Sequence, residues 1–99
     1  MSYQRTDNGP QTTILLQGTL DAKTAPEHRP LVDALVAEKR QDITLDMGGL
    51  RQLDSTGVGV IVSLYKRVTA DGGLVKIINV QGQPLAMFRL LRLDRVFHI

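Results

Sequence analysis

Residues 53–60 read Leu53-Asp54-Ser55-Thr56-Gly57-Val58-Gly59-Val60, and how this octapeptide is read decides the fold. Asp, Ser and Thr are the residue types that cap a helix N-terminus, where backbone N–H groups lack intrahelical partners. Downstream, Val58, Ile61, Val62, Tyr65 and Val68 recur at helical spacing. A helix therefore starts at the octapeptide, and Asp71-Gly72-Gly73 stops it. Glycine inside a helix costs about 1 kcal/mol relative to alanine. Gly57 and Gly59 in the first turns imply that something comes close to the backbone there. A packed strand, a partner protein or a phosphate would each answer.

Working outward, Asp42–Met47 alternates, with Ile43, Leu45 and Met47 on one face and Thr44 and Asp46 on the other. This is the pattern of a strand, with Gly48-Gly49 as its expected end. Leu74–Val80 is a second apolar strand. Thr12–Leu16, extending towards Thr19, is β-branched and apolar and reads as another. Residues 2–7 suggest a weak edge strand, joined to it by an Asn8-Gly9-Pro10 turn. Thr24-Ala25-Pro26-Glu27 has the form of a capping box. Leu31, Val32, Leu35 and Val36 follow as the buried stripe of a helix, with Lys39 and Arg40 placed to suit its dipole. Pro30 requires either a kink or a regular helix that starts near it. Pro84 stands near the start of a last helix marked by Leu85, Phe88, Leu91 and Leu93. Val96–Ile99 reads as a short final strand.

Strands alternating with helices predict an α/β fold: a small mixed, largely parallel β-sheet with helices packed against it. The 99 residues make one domain, with a core over about residues 12–99 and residues 1–10 as a weak strand or flexible lead. Ligands of such sheets gather beyond the carboxyl ends of the strands. Asp21 and Asp54-Ser55-Thr56 both lie at such ends, and we expect them to be neighbours.

Composition narrows the function. With no Cys, disulfide and thiolate chemistry are excluded, which suits a reducing cytoplasm. No apolar run reaches the ~18 residues of a membrane span, so no membrane insertion is expected. A net charge of +2 and only two Tyr and two Phe give no platform for nucleic acid. His28 and His98 stand alone, so no metal site is expected, and no cofactor motif is present. Val62 occupies the place of the third glycine of a dinucleotide loop, and no phosphate loop or nucleophile elbow exists. No nucleophile–base pair can be assembled, so no catalytic residue is expected and the protein is not read as an enzyme. Val60 and Leu64, off the main stripe of their helix, either face a partner or widen its buried face. Arg89, Arg92 and Arg95, at i, i+3 spacing, read as a solvated helix face.

In its motifs the chain resembles the STAS domain family, that of bacterial anti-sigma factor antagonists. The most specific stretch is LDSTGVGVIVSLYKRV (residues 53–68), similar to the family's D-S-[ST]-G-[LV]-G and apolar helix. GTLDAKTAP (18–26), ITLDM (43–47), Gly72-Gly73 and the Phe88–Leu91 segment follow in the family's order. The short leading strand, Pro30 and the end at His98-Ile99 without a further helix depart from it. The resemblance implies a phospho-switch. Ser55 would be the phosphoacceptor, with Thr56 as a minor alternative. The kinase would be an anti-sigma factor with serine kinase activity, bound by the unmodified form so that a sigma factor is released. A PP2C-type phosphatase would reset the switch. Asp21 and Asp54 would shape the acceptor loop; Thr56, Gly57, Val58, Gly59, Val60 and Leu64 would form the partner-facing loop and helix start. The same resemblance leaves room for an accessory STAS subunit of an ABC-type lipid transport complex, or a partner-switching adaptor with a non-transcriptional output.

Overall fold

A computed structural model describes residues 3–99; Met1 and Ser2, the latter in the expected leading strand, lie outside them. Strands β1 (Tyr3–Asn8) and β2 (Gln11–Leu20) form an antiparallel hairpin. Gly9 turns it with φ +62°, a conformation that glycine adopts without steric penalty. Helix α1 (Ala25–Ala37), strand β3 (Asp42–Leu53), helix α2 (Ser55–Ala70) and strand β4 (Leu74–Ile78) follow. Two helices, α3 (Gly82–Leu90) and the short α4 (Asp94–Phe97), complete the chain. The sheet order is β1-β2-β3-β4, with β2–β3 and β3–β4 parallel. This is the mixed, largely parallel sheet that the alternating pattern predicts.

One face of the sheet carries the core: Ile14 and Leu16 from β2, Ile43, Leu45 and Met47 from β3, Val75 and Ile77 from β4. Helices α1 and α2 close over it with Leu31, Val32 and Leu35, and with Val58, Ile61, Leu64 and Val68. The other face, with Thr13, Thr44, Lys76 and the exposed Leu74 and Ile78, has no layer above it. Parallel sheets are commonly covered on both faces; here polar residues on the bare face keep it compatible with water.

Five local expectations are corrected. Strand β3 does not end at Gly48-Gly49 but runs on to Leu53, while its register with β2 shifts between Leu15 and Gln17 and again between Gly18 and Thr19. A Cβ on Gly49 would stand 3.2 Å from Gln17 Cγ, so the glycine serves close passage of two strands. Strand β4 stops at Ile78, because Asn79 turns left-handed at φ 59°. The capping box does not form: Thr24 Oγ1 instead donates to the Thr19 carbonyl at 2.8 Å and accepts from Asp21 N at 3.0 Å. Helix α1 starts at Ala25 rather than near Pro30, the second of the two readings left open there; Pro30 sits with Pro26 on the exposed side, where water can take the carbonyl that Pro30 cannot serve. The C-terminus is helical rather than a strand. Helical spacing turns both Leu93 and Phe97 inward, and Phe97 stacks edge-on against Tyr65 (5.1 Å) and Phe88 (5.8 Å).

Arg40 lies beyond the end of α1 and works elsewhere than on its dipole. Its guanidinium donates to Thr12 Oγ1 at 2.7 Å and to the Gly9 and Gln11 carbonyls, holding the hairpin. Beside it Arg5 bridges two carboxylates, Glu38 at 2.6 Å and Asp7 at 3.1 Å, tying edge strand β1 to the end of α1. Hydrogen bonds from Arg5 hold both carboxyls below their ordinary values, and both acids push the Arg5 value up. A depressed carboxylate contributes stability above its unfolded value and loses it as pH falls through the folded value. The melting temperature of Glu38→Gln should therefore lie below wild type at pH 7. That gap should narrow as the pH drops through the ordinary glutamate value of 4.5 and close beneath it. Thermal melts of both proteins across pH 3–7 check this; a gap that widens in acid contradicts it.

Candidate functional site

The two acidic segments expected to be neighbours meet at the carboxyl ends of β2 and β3. Parallel pairing brings Leu20 beside Leu53, and the Asp54 amide donates to the Leu20 carbonyl at 3.2 Å. The Asp54 carboxylate then joins two segments. Its Oδ1 accepts from Gly57 N at 2.9 Å, which caps α2, and its Oδ2 accepts from Ala22 N at 3.2 Å, which holds the loop after β2. Asp54 is the N-cap, in extended conformation, as such a cap requires. Asp21 has a narrower role: its Oδ1 accepts from the Lys23 and Thr24 amides at 2.9 and 3.0 Å, so it shapes its own turn.

The two glycines of the octapeptide have different explanations. Gly57 is buried, and a Cβ there would collide with the Leu20 carbonyl and come within 2.8 Å of Leu53 Cδ1 and 2.9 Å of Leu20 Cγ. It exists so that α2 can lie directly on the sheet, and it gives a partner no access. Gly59 is exposed, with open space where its Cβ would be. Val58, read on the buried stripe though the resemblance put it at the partner-facing helix start, and Val60 and Leu64, left between a partner surface and a widened buried face, are at most 7% exposed and belong to the core. The buried face of α2 is wide enough to include them. What remains outward at the helix start is Ser55 and Gly59, with Thr56 half-buried between them. Ser55 is the first helical residue, and its hydroxyl makes no hydrogen bond among the described residues.

Gln83 is a residue that sequence reasoning missed. From the first turn of α3 its amide group both donates to the Leu53 carbonyl (2.8 Å) and accepts from the Leu53 amide (2.7 Å). This pins the residue immediately before Asp54. A glutamine one residue before Pro84 gives no warning of such a bridge. His28 is a packing residue, buried, with Nδ1–H donating to the Thr24 carbonyl at 3.0 Å and its ring against Tyr3. Lys66 is exposed, and Arg67 pairs with Asp33 at 2.9 Å. Arg89, Arg92 and Arg95 are exposed at the far end of α3 and on α4, near Leu90 and Leu91. No described helix is long and apolar enough to cross a membrane.

The model of the STAS domain family matches residues 3–99. The chain is 29% identical over 86 residues to an anti-sigma-B factor antagonist of Bacillus subtilis, covering 87% of this chain and 78% of that protein. It is 30% identical over 87 residues to an anti-sigma F factor antagonist of Paenibacillus polymyxa, covering 87% and 72%. Its fold is similar to that of the Bacillus cell fate determinant SpoIIAA in its phosphorylated form, with a TM-score of 0.77 at 20% identity over 94% of this chain and 86% of that one.

The different settings of the two glycines predict opposite signs for one substitution. Gly57→Ala should destabilise strongly, by several kcal/mol or to the point of not folding, because backbone and core would have to move. Gly59→Ala should stabilise by about 0.5–1 kcal/mol, since it adds helix propensity without a clash. Urea unfolding of the two variants decides it; equal effects would contradict the assignment.

Proposed function

The chain belongs to the STAS domain family, and on that footing we propose that it is an anti-sigma factor antagonist switched by phosphorylation of Ser55. The observation that carries this reading is the Ser55 hydroxyl itself. It is exposed, makes no hydrogen bond among the described residues and is held in place on the first turn of α2, beside a carboxylate each of whose oxygens accepts from a backbone amide. A hydroxyl so placed can enter the active site of a kinase without unfolding its surroundings. The relatives named as antagonists of anti-sigma factors, and one whose solved form is phosphorylated, support the same reading.

The partner in this reading is an anti-sigma factor with serine kinase activity in the cytoplasm. The unmodified protein binds it and a sigma factor is freed. Transfer of the γ-phosphoryl group from ATP to Ser55 Oγ ends the complex, and a PP2C-type phosphatase hydrolyses the phosphoserine. The protein is then a substrate and a ligand, without catalysis of its own.

Phosphorylation adds about −1.5 to −2 charges. The N-terminus of α2 favours that charge while Asp54 opposes it. The local fold therefore has little reason to change, and the charge acts on the docked surface. Ser55→Ala should bind the kinase as wild type does, and Ser55→Asp should bind at least about tenfold more weakly, a loss of ~1.4 kcal/mol. Calorimetric titration against the kinase measures both. Mass spectrometry after incubation with kinase and ATP should place the added phosphate on Ser55; an unmodified Ser55, or a Ser55→Asp variant of undiminished affinity, would reject the reading.

A further inference from the structure

A groove of about 150 Å³ runs between α1 and α2, lined by Arg29, Val32, Asp33, Val60, Ser63 and Arg67. Its floor is apolar, from the buried Val32 and Val60, and its rim is charged. Arg67 and Asp33 neutralise one another across it at 2.9 Å. Arg29 is exposed and makes no hydrogen bond or ion pair among the described residues, so the groove carries an uncompensated guanidinium. Along α2, Ser55, Gly59 and Ser63 are all exposed at intervals of one turn, which places Ser63 about 12 Å from Ser55 along the helix axis. No packing within the chain requires Gly59, whose missing Cβ leaves open space directly between the two serines.

We propose that this groove seats a carboxylate side chain of the same partner that reads Ser55, with Arg29 as the group that engages it. The inference rests on the proposed phospho-switch for the partner's class and adds the chemistry of its second contact. The methylenes of a Glu or Asp side chain fit the valine floor, and the planar guanidinium matches a carboxylate in bidentate geometry. A partner backbone crossing α2 at Gly59 meets no side chain, so one contiguous surface reaches both the acceptor hydroxyl and the groove. The docking face is thereby bipolar. An acidic corner at Asp54 stands beside a basic groove, and a partner presenting its charges in the reverse order is mismatched. Such complementarity chiefly sets association rate and register.

The test is the affinity of Arg29→Glu for the purified anti-sigma factor kinase, with Ser55 unmodified, at low and high salt. We expect a loss of about tenfold at 0.05 M salt that shrinks to about twofold or less at 0.5 M, where screening removes exposed ion pairs. Arg29→Lys should fall between wild type and Arg29→Glu, since an ammonium keeps the charge but not the bidentate geometry, and circular dichroism should show both variants folded. An Arg29→Glu affinity within twofold of wild type at low salt overturns the groove assignment, and so does a loss that salt leaves unchanged. Ser55→Asp, measured in parallel, separates the two claims: weakened binding with a neutral Arg29→Glu rejects only the groove, while unweakened binding rejects the switch beneath it.

Discussion

The contact on which the arrangement depends is the seating of the Gly57 backbone against the Leu20 carbonyl, fixed by the Asp54 carboxylate. Two adjacent parallel strands end at the same level, and the helix that follows the second must start without room for a side chain at its third residue. Any Cβ at Gly57 would lift α2 off the sheet. With it would go Val58, Ile61 and Leu64, which fill the space between sheet and helix. Asp54 then has one oxygen for its own helix and one for the neighbouring loop, so the two loops after β2 and β3 form one unit. A carboxylate that accepts from two amides is engaged on the inner side, which leaves the adjacent Ser55 facing outward.

That outward position follows from helix periodicity. Once Gly57, Ile61, Leu64 and Val68 are committed to the core, residues 55, 59, 63, 66 and 67 lie on the opposite arc. The charge that a phosphate would bring arrives at the partially positive end of a helix, within bonding reach of nothing that it would have to displace. A modification in this place can change what the surface attracts while leaving the core contacts as they are. The same residue two positions further on would be pressed into β2, where a dianion could not be solvated.

Much of this was legible in the sequence because periodicity and backbone demands are both local. Strand-helix alternation pointed to a largely parallel sheet with helices packed against it, and the acidic, hydroxyl and glycine residues of 54–59 marked a helix start at a strand end. The failures were of a different kind. Gly48-Gly49 looks like a terminator, but β3 runs on through it, and Gly49 lies close against Leu16 and Gln17 of β2, a fact that belongs to the register of β2. Thr24 matches a capping pattern, yet its hydroxyl has a better offer from Thr19 and Asp21. Val60 and Leu64 could not be placed from a single stripe, because the width of a buried face is set by how deeply a helix beds into its sheet. Phe97 could not be read as helical without knowing that Tyr65 and Phe88 wait for it. The Gln83 bridge to Leu53 joins residues thirty positions apart and leaves no local trace.

The two glycines summarise why residue type alone does not assign a role. Both carry the same intrinsic penalty, roughly 1 kcal/mol each in a helix. For Gly57 the offsetting gain lies inside the molecule, in the burial of several large side chains that depends on a close helix-sheet distance. For Gly59 nothing inside the molecule offsets it, because its Cβ position is open and no neighbour benefits. A helix of sixteen residues bedded by six buried positions can carry that deficit without loss of fold. In the proposed reading the gain lies in what approaches from outside. It falls on the same arc as the Ser55 hydroxyl, next to the groove that α2 forms with α1 and its Arg29, and in the proposed reading the outer face of α2, rather than the bare face of the sheet, receives the second molecule.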